Sequence, residues 1–287
     1  MLKGTTQNLG VMGWPIVHSL SPVLQNAAIE KAGCDYVYTA LPVKPENLHQ
    51  AVEGLKALQF RGWNVTIPHK TAIMSLLDEI DEDARIIGAV NTVVNDGGHL
   101  TGFNTDVTGF IQALLDEGFE PQGKTAVLFG AGGAARAVIW GLFKAGVRAV
   151  YLGVRSPEKV RPLVDTFRKY GTITVCHWES DGFARQLGDA DLLVNTTPLG
   201  MTPHVDAMPP VDWGIVKKGA FVYDIIYTPA ETRLLREAAA NGHPTLNGEG
   251  MLAGQGAAAL EKWIGRKPDI PLMKAKLREA LEAGRKK

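Results

Sequence analysis

The sequence predicts an α/β protein of two domains, one of which contains a doubly wound parallel sheet. Three observations lead to this prediction. The chain has 287 residues, which is enough for two hydrophobic cores. From residue 125 to residue 241, apolar strand patterns alternate with helical patterns, as they do in a parallel sheet covered by helices. A glycine cluster separates the first of these strands from its helix.

The glycine cluster follows an apolar run that ends at Phe129. Gly130, Gly132 and Ala135 have the spacing G-x-G-x-x-(G/A). In this motif the first glycine makes the turn, the second admits a pyrophosphate to the backbone, and the third small residue lets helix and strand pack closely. The free amides at the helix start would face the phosphates. In a chain with 32 glycines, however, the spacing alone also fits a close-packed turn without a ligand.

The end of the next strand distinguishes between two dinucleotides. The strand pattern Ala149 to Val154 is followed by Arg155 and Ser156. NAD binding favours an acidic residue there, because a carboxylate holds the ribose 2′-hydroxyl. A guanidinium and a hydroxyl suit a 2′-phosphate instead, and without a carboxylate no like charge repels it. The sequence therefore predicts NADP as the cofactor.

Charge and composition exclude several classes of partner. Lys plus Arg equals Asp plus Glu, at 30 each, so nucleic acid is not expected as a partner. No stretch approaches the roughly 18 apolar residues of a membrane span, so we expect no membrane partner and a cytoplasmic location. Cys34 and Cys176 lack metal-ligand spacing, and neither a metal nor a disulfide is expected. No coiled-coil pattern is present, which leaves both a monomer and a homodimer open.

Two serines near the start of the chain lie at a predicted helix N-terminus. Ser21 followed by Pro22 reads as a helix start, with serine as the N-cap and proline at the first helical position. Ser19 and Ser21 could therefore bind a carboxylate with help from the helix dipole. The alternative is that Ser21 only caps the helix and Ser19 is a turn residue.

Three further polar residues lie on loops in the same half of the chain. Lys70 follows a strand that must end near Pro68, because proline removes a ladder donor. Asn91 lies at the start of a predicted hairpin, and Asp106 comes directly before a helical pattern. Each has an ordinary explanation, since a lone lysine is usually a solvated charge and an aspartate at a helix start usually caps it. Together the three are polar enough to hold a polyol.

Seven motifs follow one another in order between about Leu9 and Gly265. They are G-x-P-x-x-H-S-x-S-P at 13–22, N-V-T-x-P-x-K at 64–70, G-A-V-N-T at 88–92, N-T-D at 104–106, G-A-G-G-A-A-R-A at 130–137, N-T-T-P-x-G-M at 195–201 and G-M-L-x-x-Q at 250–255. With these motifs the chain resembles the shikimate dehydrogenase family, which includes shikimate/quinate dehydrogenases. The resemblance implies an N-terminal α/β substrate domain (residues 1–106 and 249–287), to which the C-terminal helices return. It also implies a Rossmann-like, doubly wound NADP-binding domain (residues 107–248).

The resemblance also implies a role for each matching residue. Lys70 and Asp106 would be the catalytic pair. The substrate-binding residues would be Ser19 and Ser21 at the carboxylate, Thr66, Asn91, Asp106 and Gln255 at the ring hydroxyls, and Tyr227. The cofactor-binding residues would be Gly130, Ala131, Gly132, Gly133, Ala134 and Ala135 at the pyrophosphate, Arg155 and Ser156 at the 2′-phosphate, and Thr196, Ile225 and Gly248. The chain departs from the family at Val154, where many members have Asn, and at Gln25, where many have His.

The implied activity is the NADP-dependent interconversion of 3-dehydroshikimate and shikimate, a step of chorismate and aromatic amino acid biosynthesis. Lys70 can donate a hydrogen bond to the reacting oxygen and relay its proton, while Asp106 orients the lysine and favours its charged form. One alternative is an NAD-dependent quinate/shikimate dehydrogenase, for which an acidic residue would replace Arg155 or Ser156. The other is a regulator that binds both ligands without turnover, for which loss of Lys70 or Asp106 would be the signal.

Overall fold

A computed structural model describes residues Leu2 to Arg285, which divide into two units. The first contains the residues up to Gly109 together with those from Ala253 onward, and the second is Phe110–Leu252. The chain passes between the units within two helices, α4 (Asp106–Asp116) and α9 (Glu249–Ile264). The boundaries drawn from the sequence, at residues 106 and 248, fall at the starts of these same helices.

The first unit is built on a mixed sheet. Its strands are β1 (Gln7–Gly13), β2 (Tyr36–Pro42), β3 (Gly62–Val65), β4 (Glu79–Ile80), β5 (Thr92–Asp96) and β6 (His99–Phe103), in the spatial order β2-β1-β3-β5-β6-β4. β1 is parallel to β2 and β3, β5 is antiparallel to β3 and β6, and β4 is parallel to β6. The carboxyl ends of β1, β3 and β6 and the amino end of β5 therefore meet at one edge of this sheet.

Helices accompany this sheet along the chain. They are α1 (Ser21–Lys31), α2 (Leu48–Ala57), α3 (Glu82–Ile87), the first turn of α4, most of α9, and α10 (Ile270–Arg285), with 3₁₀ turns at Pro45–Asn47 and Ala72–Leu76. Met12, Trp63 and Val65 lie in a core cluster that also contains residues of α2. The sequence pattern of α10 places Met273, Leu277 and Leu281 along one apolar stripe, and Met273 and Leu277 are fully buried.

Trp263 of α9 occupies a notch in the sheet that only glycine leaves open. A Cβ on Gly62 would lie 2.1 Å from Trp263 Nε1 and 2.4 Å from the Val93 carbonyl oxygen. The indole Nε1 donates to that carbonyl at 2.9 Å, so the ring is both packed and hydrogen-bonded. A helix from the end of the chain is thereby fixed to strands from its first third.

The second unit contains an entirely parallel sheet. Its strands are β7 (Thr125–Phe129), β8 (Ala149–Val154), β9 (Thr172–His177), β10 (Leu192–Asn195), β11 (Phe221–Asp224) and β12 (Thr245–Leu246), in the order β12-β11-β10-β7-β8-β9. Its helices are α5 (Gly133–Lys144), α6 (Arg161–Phe167), α7 (Asp181–Asp189) and α8 (Arg233–Ala240). This is the Rossmann strand order, so the predicted doubly wound sheet is confirmed. Its order reverses between β7 and β10, where such sheets bind ligands beyond the carboxyl ends of the strands.

Several local predictions were wrong in their boundaries. Ser21 is the first residue of α1 and not its N-cap, a position held by Leu20 without a side-chain cap. The sequence pattern over 157–170 predicts a single helix, but the structure has a 3₁₀ turn at Pro157–Val160 followed by α6, which ends at Phe167. The break has a physical reason, because Pro162 lacks an amide hydrogen and so favours a new helix start.

Two properties of residues 2–285 bear on partners. No helix among them is long and apolar enough to cross a membrane. No group of three or more His, Cys, Asp or Glu side chains within the same range could hold a metal ion. Cys34 and Cys176 are free thiols, and both are half-buried.

Candidate active site

The topology of the first unit brings several of the predicted catalytic and substrate-binding residues to one sheet edge. Ser19 and Ser21 follow the carboxyl end of β1, and Lys70 follows that of β3. Asn91 directly precedes β5, and Asp106 begins α4 after the carboxyl end of β6. Because Asn64 of β3 pairs with Thr92, and Thr92 with Phe103, these strand ends are neighbours.

Lys70, Asn91 and Asp106 are in direct contact. Lys70 Nζ donates to Asp106 Oδ2 at 2.6 Å, and Asn91 Nδ2 donates to Asp106 Oδ1 at 2.8 Å. The side chains of Lys70 and Asp106 are 29% and 13% exposed. Each oxygen of the carboxylate thus receives a donor, while part of the Lys70 side chain remains exposed.

Asn104 holds the first backbone amide of α4 through its side chain. Asn104 Oδ1 accepts the backbone amide of Asp106 at 3.1 Å, and Asn104 Nδ2 donates to the Ala89 carbonyl at 2.9 Å. The capping alternative does not describe the Asp106 side chain, because its two carboxylate oxygens accept from Lys70 and Asn91.

The amide of Asn91 has one orientation. Its Oδ1 accepts from the Thr105 backbone N at 2.8 Å, from Thr105 Oγ1 at 3.1 Å and from Thr92 Oγ1 at 2.9 Å. The backbone N is an obligatory donor, so the oxygen must face Thr105 and the amide NH₂ must face Asp106. Asn91 is buried, with 2% of its surface exposed.

The predicted carboxylate and hydroxyl ligands lie on the loops of the same edge. Ser19 Oγ accepts the Ser21 amide at 3.3 Å, so Ser19 supports the first residue of α1. Thr66 is held by its backbone, whose amide donates to the Met12 carbonyl at 2.9 Å. Within the part of the chain that the structure describes, Ser19, Ser21 and Thr66 make no hydrogen bond to Lys70, Asn91 or Asp106.

Gln255 is half-buried on α9. The part of α9 that carries it packs closely against α4. A Cβ on Gly254 would lie 3.0 Å from the Gly109 Cα of α4, so these two helices pack almost backbone to backbone. The carbonyl oxygen of Gly256, the residue after Gln255, accepts a hydrogen bond at 2.9 Å from Gln25 Nε2. Gln25, a departure from the family pattern, thus joins α1 to the turn of α9 that carries Gln255.

In the second unit, the glycine loop leaves an open cradle at the start of α5. Gly130 has a φ of +95°, which favours glycine, and its amide donates to the Gly153 carbonyl at 3.0 Å. Gly132 is the N-cap, and no side chain caps the helix. A Cβ on Gly132 or Gly133 would meet open space, and the first turn carries no acidic residue. These amides can therefore receive a phosphate.

Arg155 and Ser156 leave the neighbouring strand at the same sheet edge. β8 pairs with β7 through Phe129 and Gly153, so the loops after these strands start side by side. Arg155 is exposed. Ser156 precedes the 3₁₀ turn without capping it, so its hydroxyl is not used there. A cation and a hydroxyl donor are thus presented next to the phosphate cradle.

The remaining predicted cofactor residues hold the loops after β10 and β11. Thr196 donates its hydroxyl hydrogen to the Phe129 carbonyl, at 2.7 Å, and its backbone amide donates to the same oxygen. Gly248 packs against the backbone of Ile225, whose carbonyl oxygen would lie 2.0 Å from a Cβ at position 248. Tyr227 follows Ile225 by two residues and is half-buried.

Asp224, at the end of β11, is a residue that our sequence reasoning missed. Its carboxylate accepts from Asn195 Nδ2 at 3.1 Å, from the Ile226 amide at 3.1 Å and from Thr232 Oγ1 at 2.7 Å. Burial raises the pKa of Asp224 to about 6, against the effect of these three donors. The sequence did carry a signal, since an aspartate that ends an apolar strand is seldom buried without a structural partner.

Comparison with known proteins gives concordant results. Residues 11–93 match the shikimate dehydrogenase substrate binding domain, and residues 248–278 match the shikimate 5′-dehydrogenase C-terminal domain. A relative from Moorella thermoacetica, named shikimate dehydrogenase (NADP(+)), is 45% identical over 98% of this chain and 96% of its own length.

Two solved structures show the range of similar proteins. Shikimate 5-dehydrogenase from Thermus thermophilus, in complex with NADP(H) and shikimate, is 36% identical with a TM-score of 0.86, covering 96% of this chain and 99% of that one. Quinate dehydrogenase from Corynebacterium glutamicum, in complex with NAD, is 31% identical with a TM-score of 0.88, again over 96% and 99%.

Proposed function

The chain belongs to the shikimate dehydrogenase family, and we propose that it is an NADP-dependent oxidoreductase that interconverts 3-dehydroshikimate and shikimate. One contact between two residues supports this proposal. Lys70 and Asp106 form a partly buried ion pair at the sheet edge where the loops of Ser19 and Ser21 also lie. A charged donor beside hydroxyl-bearing loops suits a polyhydroxylated substrate with a carboxylate.

The second unit suits NADP as the cofactor. The uncapped start of α5 and the open space at Gly132 and Gly133 would receive the pyrophosphate. Arg155 and Ser156 would hold the 2′-phosphate, because a guanidinium matches phosphate oxygens with two parallel donors. When bound, the cofactor accepts or supplies the hydride.

Lys70 is the group that handles the proton in this proposal. In the direction of reduction, the Lys70 ammonium donates a hydrogen bond and then a proton to the oxygen on which negative charge develops. In the direction of oxidation, Lys70 Nζ takes the proton of the substrate hydroxyl after losing its own to solvent. Asp106 holds the ammonium in place from one oxygen, and Asn91 holds Asp106 from the other.

The substrate carboxylate would bind at the start of α1. The helix has 11 residues and no acidic residue in its first turn. Ser19 and Ser21 can donate their hydroxyl hydrogens to a carboxylate, which the partial positive charge of the helix N-terminus also attracts. Thr66 and Gln255 would then bind ring hydroxyls, and Tyr227 would contact the substrate from its own loop.

An NAD-dependent quinate/shikimate dehydrogenase is the second candidate, because a solved quinate dehydrogenase has the same fold over nearly the whole chain. Arg155 disfavours this second candidate, because NAD lacks the 2′-phosphate that this side chain would bind. Initial rates of nicotinamide reduction, measured with shikimate and with quinate, each paired with NADP and with NAD, separate the candidates.

Each outcome of this rate experiment has one meaning. Activity concentrated on shikimate with NADP supports the proposal. Comparable rates with quinate and NAD would assign the second candidate. No activity in any pair, together with measurable shikimate binding, would assign a ligand-binding regulator without turnover. A Lys70→Ala variant purified in parallel provides the background rate.

A further inference from the structure

A chain of buried hydrogen bonds runs from β2 to the proposed catalytic pair. The Tyr38 hydroxyl donates to Asn64 Oδ1 at 2.6 Å, and Asn64 Nδ2 donates to Thr92 Oγ1 at 3.0 Å. Thr92 Oγ1 donates to Asn91 Oδ1 at 2.9 Å, and Asn91 Nδ2 donates to Asp106 Oδ1 at 2.8 Å. In each bond the donor lies on the side of Tyr38 and the acceptor on the side of Asp106.

The first four members of this hydrogen-bond chain are buried. Tyr38 is 1% exposed, Asn64 6%, Thr92 0% and Asn91 2%. Burial raises the pKa of Tyr38 well above its ordinary value, so its hydroxyl remains a donor across the working pH range. In a buried site a missing partner is not replaced by water, so each bond restricts the next.

The orientation of the Asn64 amide connects the two ends. Its Nδ2 also donates to the Asn91 carbonyl oxygen at 3.0 Å, so both amide hydrogens are used at the start of β5. Its Oδ1 faces the Tyr38 hydroxyl. Without that hydroxyl, Oδ1 would be a buried acceptor without a donor, and the amide could relieve this only by moving away from β5.

We propose that Tyr38 is a positioning residue, which acts through this hydrogen-bond chain to hold Asn91 and, through it, the carboxylate of Asp106. The inference rests on the proposed function, in which Asp106 orients Lys70. Tyr38 itself would touch neither substrate nor cofactor. Its hydroxyl reduces the freedom of the Asp106 carboxylate, and a carboxylate that is held in one place presents the Lys70 ammonium in one place.

Tyr38→Phe tests this inference, because it removes only the hydroxyl. The ring would keep its contact with Trp263, at 6.1 Å between centroids. We expect kcat for shikimate to fall between about twofold and tenfold, the span of one buried hydrogen bond, with KM for NADP unchanged. Tyr36→Phe on the same strand, half-buried and outside the hydrogen-bond chain, is the matched control and should keep the kcat of the unmodified protein.

A second pair of variants separates positioning from stability alone. Thr92→Val cuts the hydrogen-bond chain at another point, and Thr92→Ser keeps its hydroxyl. We expect Thr92→Val to lower kcat and Thr92→Ser to restore it. Adding Tyr38→Phe to Thr92→Val should cause little further loss, because the connection is already broken.

Three outcomes would overturn the inference. They are an unchanged kcat in folded Tyr38→Phe, equal kcat in Thr92→Val and Thr92→Ser, and losses that multiply fully in the double variant. A lower melting temperature with unchanged kcat per folded protein would mean that Tyr38 only stabilises the unit. Should Tyr38→Phe fail to fold, the two Thr92 variants still decide. Absence of shikimate activity in the unmodified protein would instead refute the proposed function.

Discussion

Asn104 Oδ1 accepts the backbone amide of Asp106 at 3.1 Å, so the asparagine two residues earlier holds the start of α4. Aspartate often caps a helix start, but here the Asn104 side chain binds the first backbone amide of the helix. The carboxylate of Asp106 is consequently directed to Lys70 and Asn91. A residue that stands at a helix start for structural reasons thus becomes available for chemistry.

Lys70→Ala should lower kcat by about a hundredfold or more, because the group that donates the proton is lost. KM for shikimate should stay within severalfold, and the fold should persist, because Asn91 still holds Asp106. Steady-state kinetics and thermal unfolding measure both effects. Lys31→Ala, at the exposed end of α1, is the control. A large rise in KM at normal kcat would contradict the catalytic role.

Arg155→Asp should shift the cofactor preference from NADP toward NAD. The change removes a hydrogen-bond donor for the 2′-phosphate. It also adds a carboxylate that repels a 2′-phosphate and can accept a hydrogen bond from a 2′-hydroxyl. The ratio of kcat/KM for NADP to that for NAD should fall on the order of a hundredfold, the size of one or two charge-assisted bonds. Arg168→Asp, just after α6, is the control. An unchanged ratio would remove Arg155 from the cofactor site.

Asp224→Asn should change how stability depends on pH. The raised pKa means that the folded state binds this proton more tightly than the unfolded state, whose ordinary value is 3.8. The contribution of Asp224 to stability is therefore fully present below that value and is lost as pH rises through about 6. The neutral amide has no such loss, and its NH₂ can face Thr232 while its oxygen faces Asn195.

Urea unfolding of Asp224→Asn and the unmodified protein, at about pH 5 and about pH 7, measures this effect. The difference in free energy of unfolding, variant minus unmodified protein, should be about 1 kcal/mol larger at about pH 7 than at about pH 5. Asp206→Asn, at an exposed position, is the control. A constant difference across the range would mean that Asp224 does not titrate there.

Gly62→Ala should destabilise the first unit. The added methyl would overlap the Trp263 indole and the Val93 carbonyl, and the carbonyl belongs to a paired strand that cannot move aside. Overpacking of this kind costs about 1–3 kcal/mol, measured as the free energy of unfolding in urea. Gly54→Ala, within α2, has open space around the new methyl and should be neutral or slightly stabilising. Equal effects at both positions would disprove the notch.

Local patterns foresaw the parts of the molecule that short segments determine. The strand, glycine turn and helix around Gly130 follow from residues next to one another, and the structure confirms them. The sequence motifs contain both Lys70 and Asp106, although 36 residues separate them. Their contact depends on strand neighbours that the sequence pattern alone does not determine, and the seven family motifs supplied what periodicity could not.

Residues that act on other residues were harder to foresee. Tyr38, Asn64 and Asp224 lie within apolar strands, and each resembles an ordinary strand residue in its own segment. Their importance comes from partners in other strands and loops, such as Asn64 for Tyr38 and Thr232 for Asp224. A polar atom inside an apolar run shows only that some partner exists, and the folded chain shows which.

The notch at Gly62 also determines when the first unit can be completed during synthesis. Trp263 contacts Arg61 across a separation of 202 residues, and Trp263 leaves the ribosome only after the whole second unit. The second unit is one continuous segment, so it can fold before the C-terminal residues of the first unit, in α9 and α10, have been synthesised. On a growing chain the second unit can therefore fold first, and the edge that carries Lys70 is completed last.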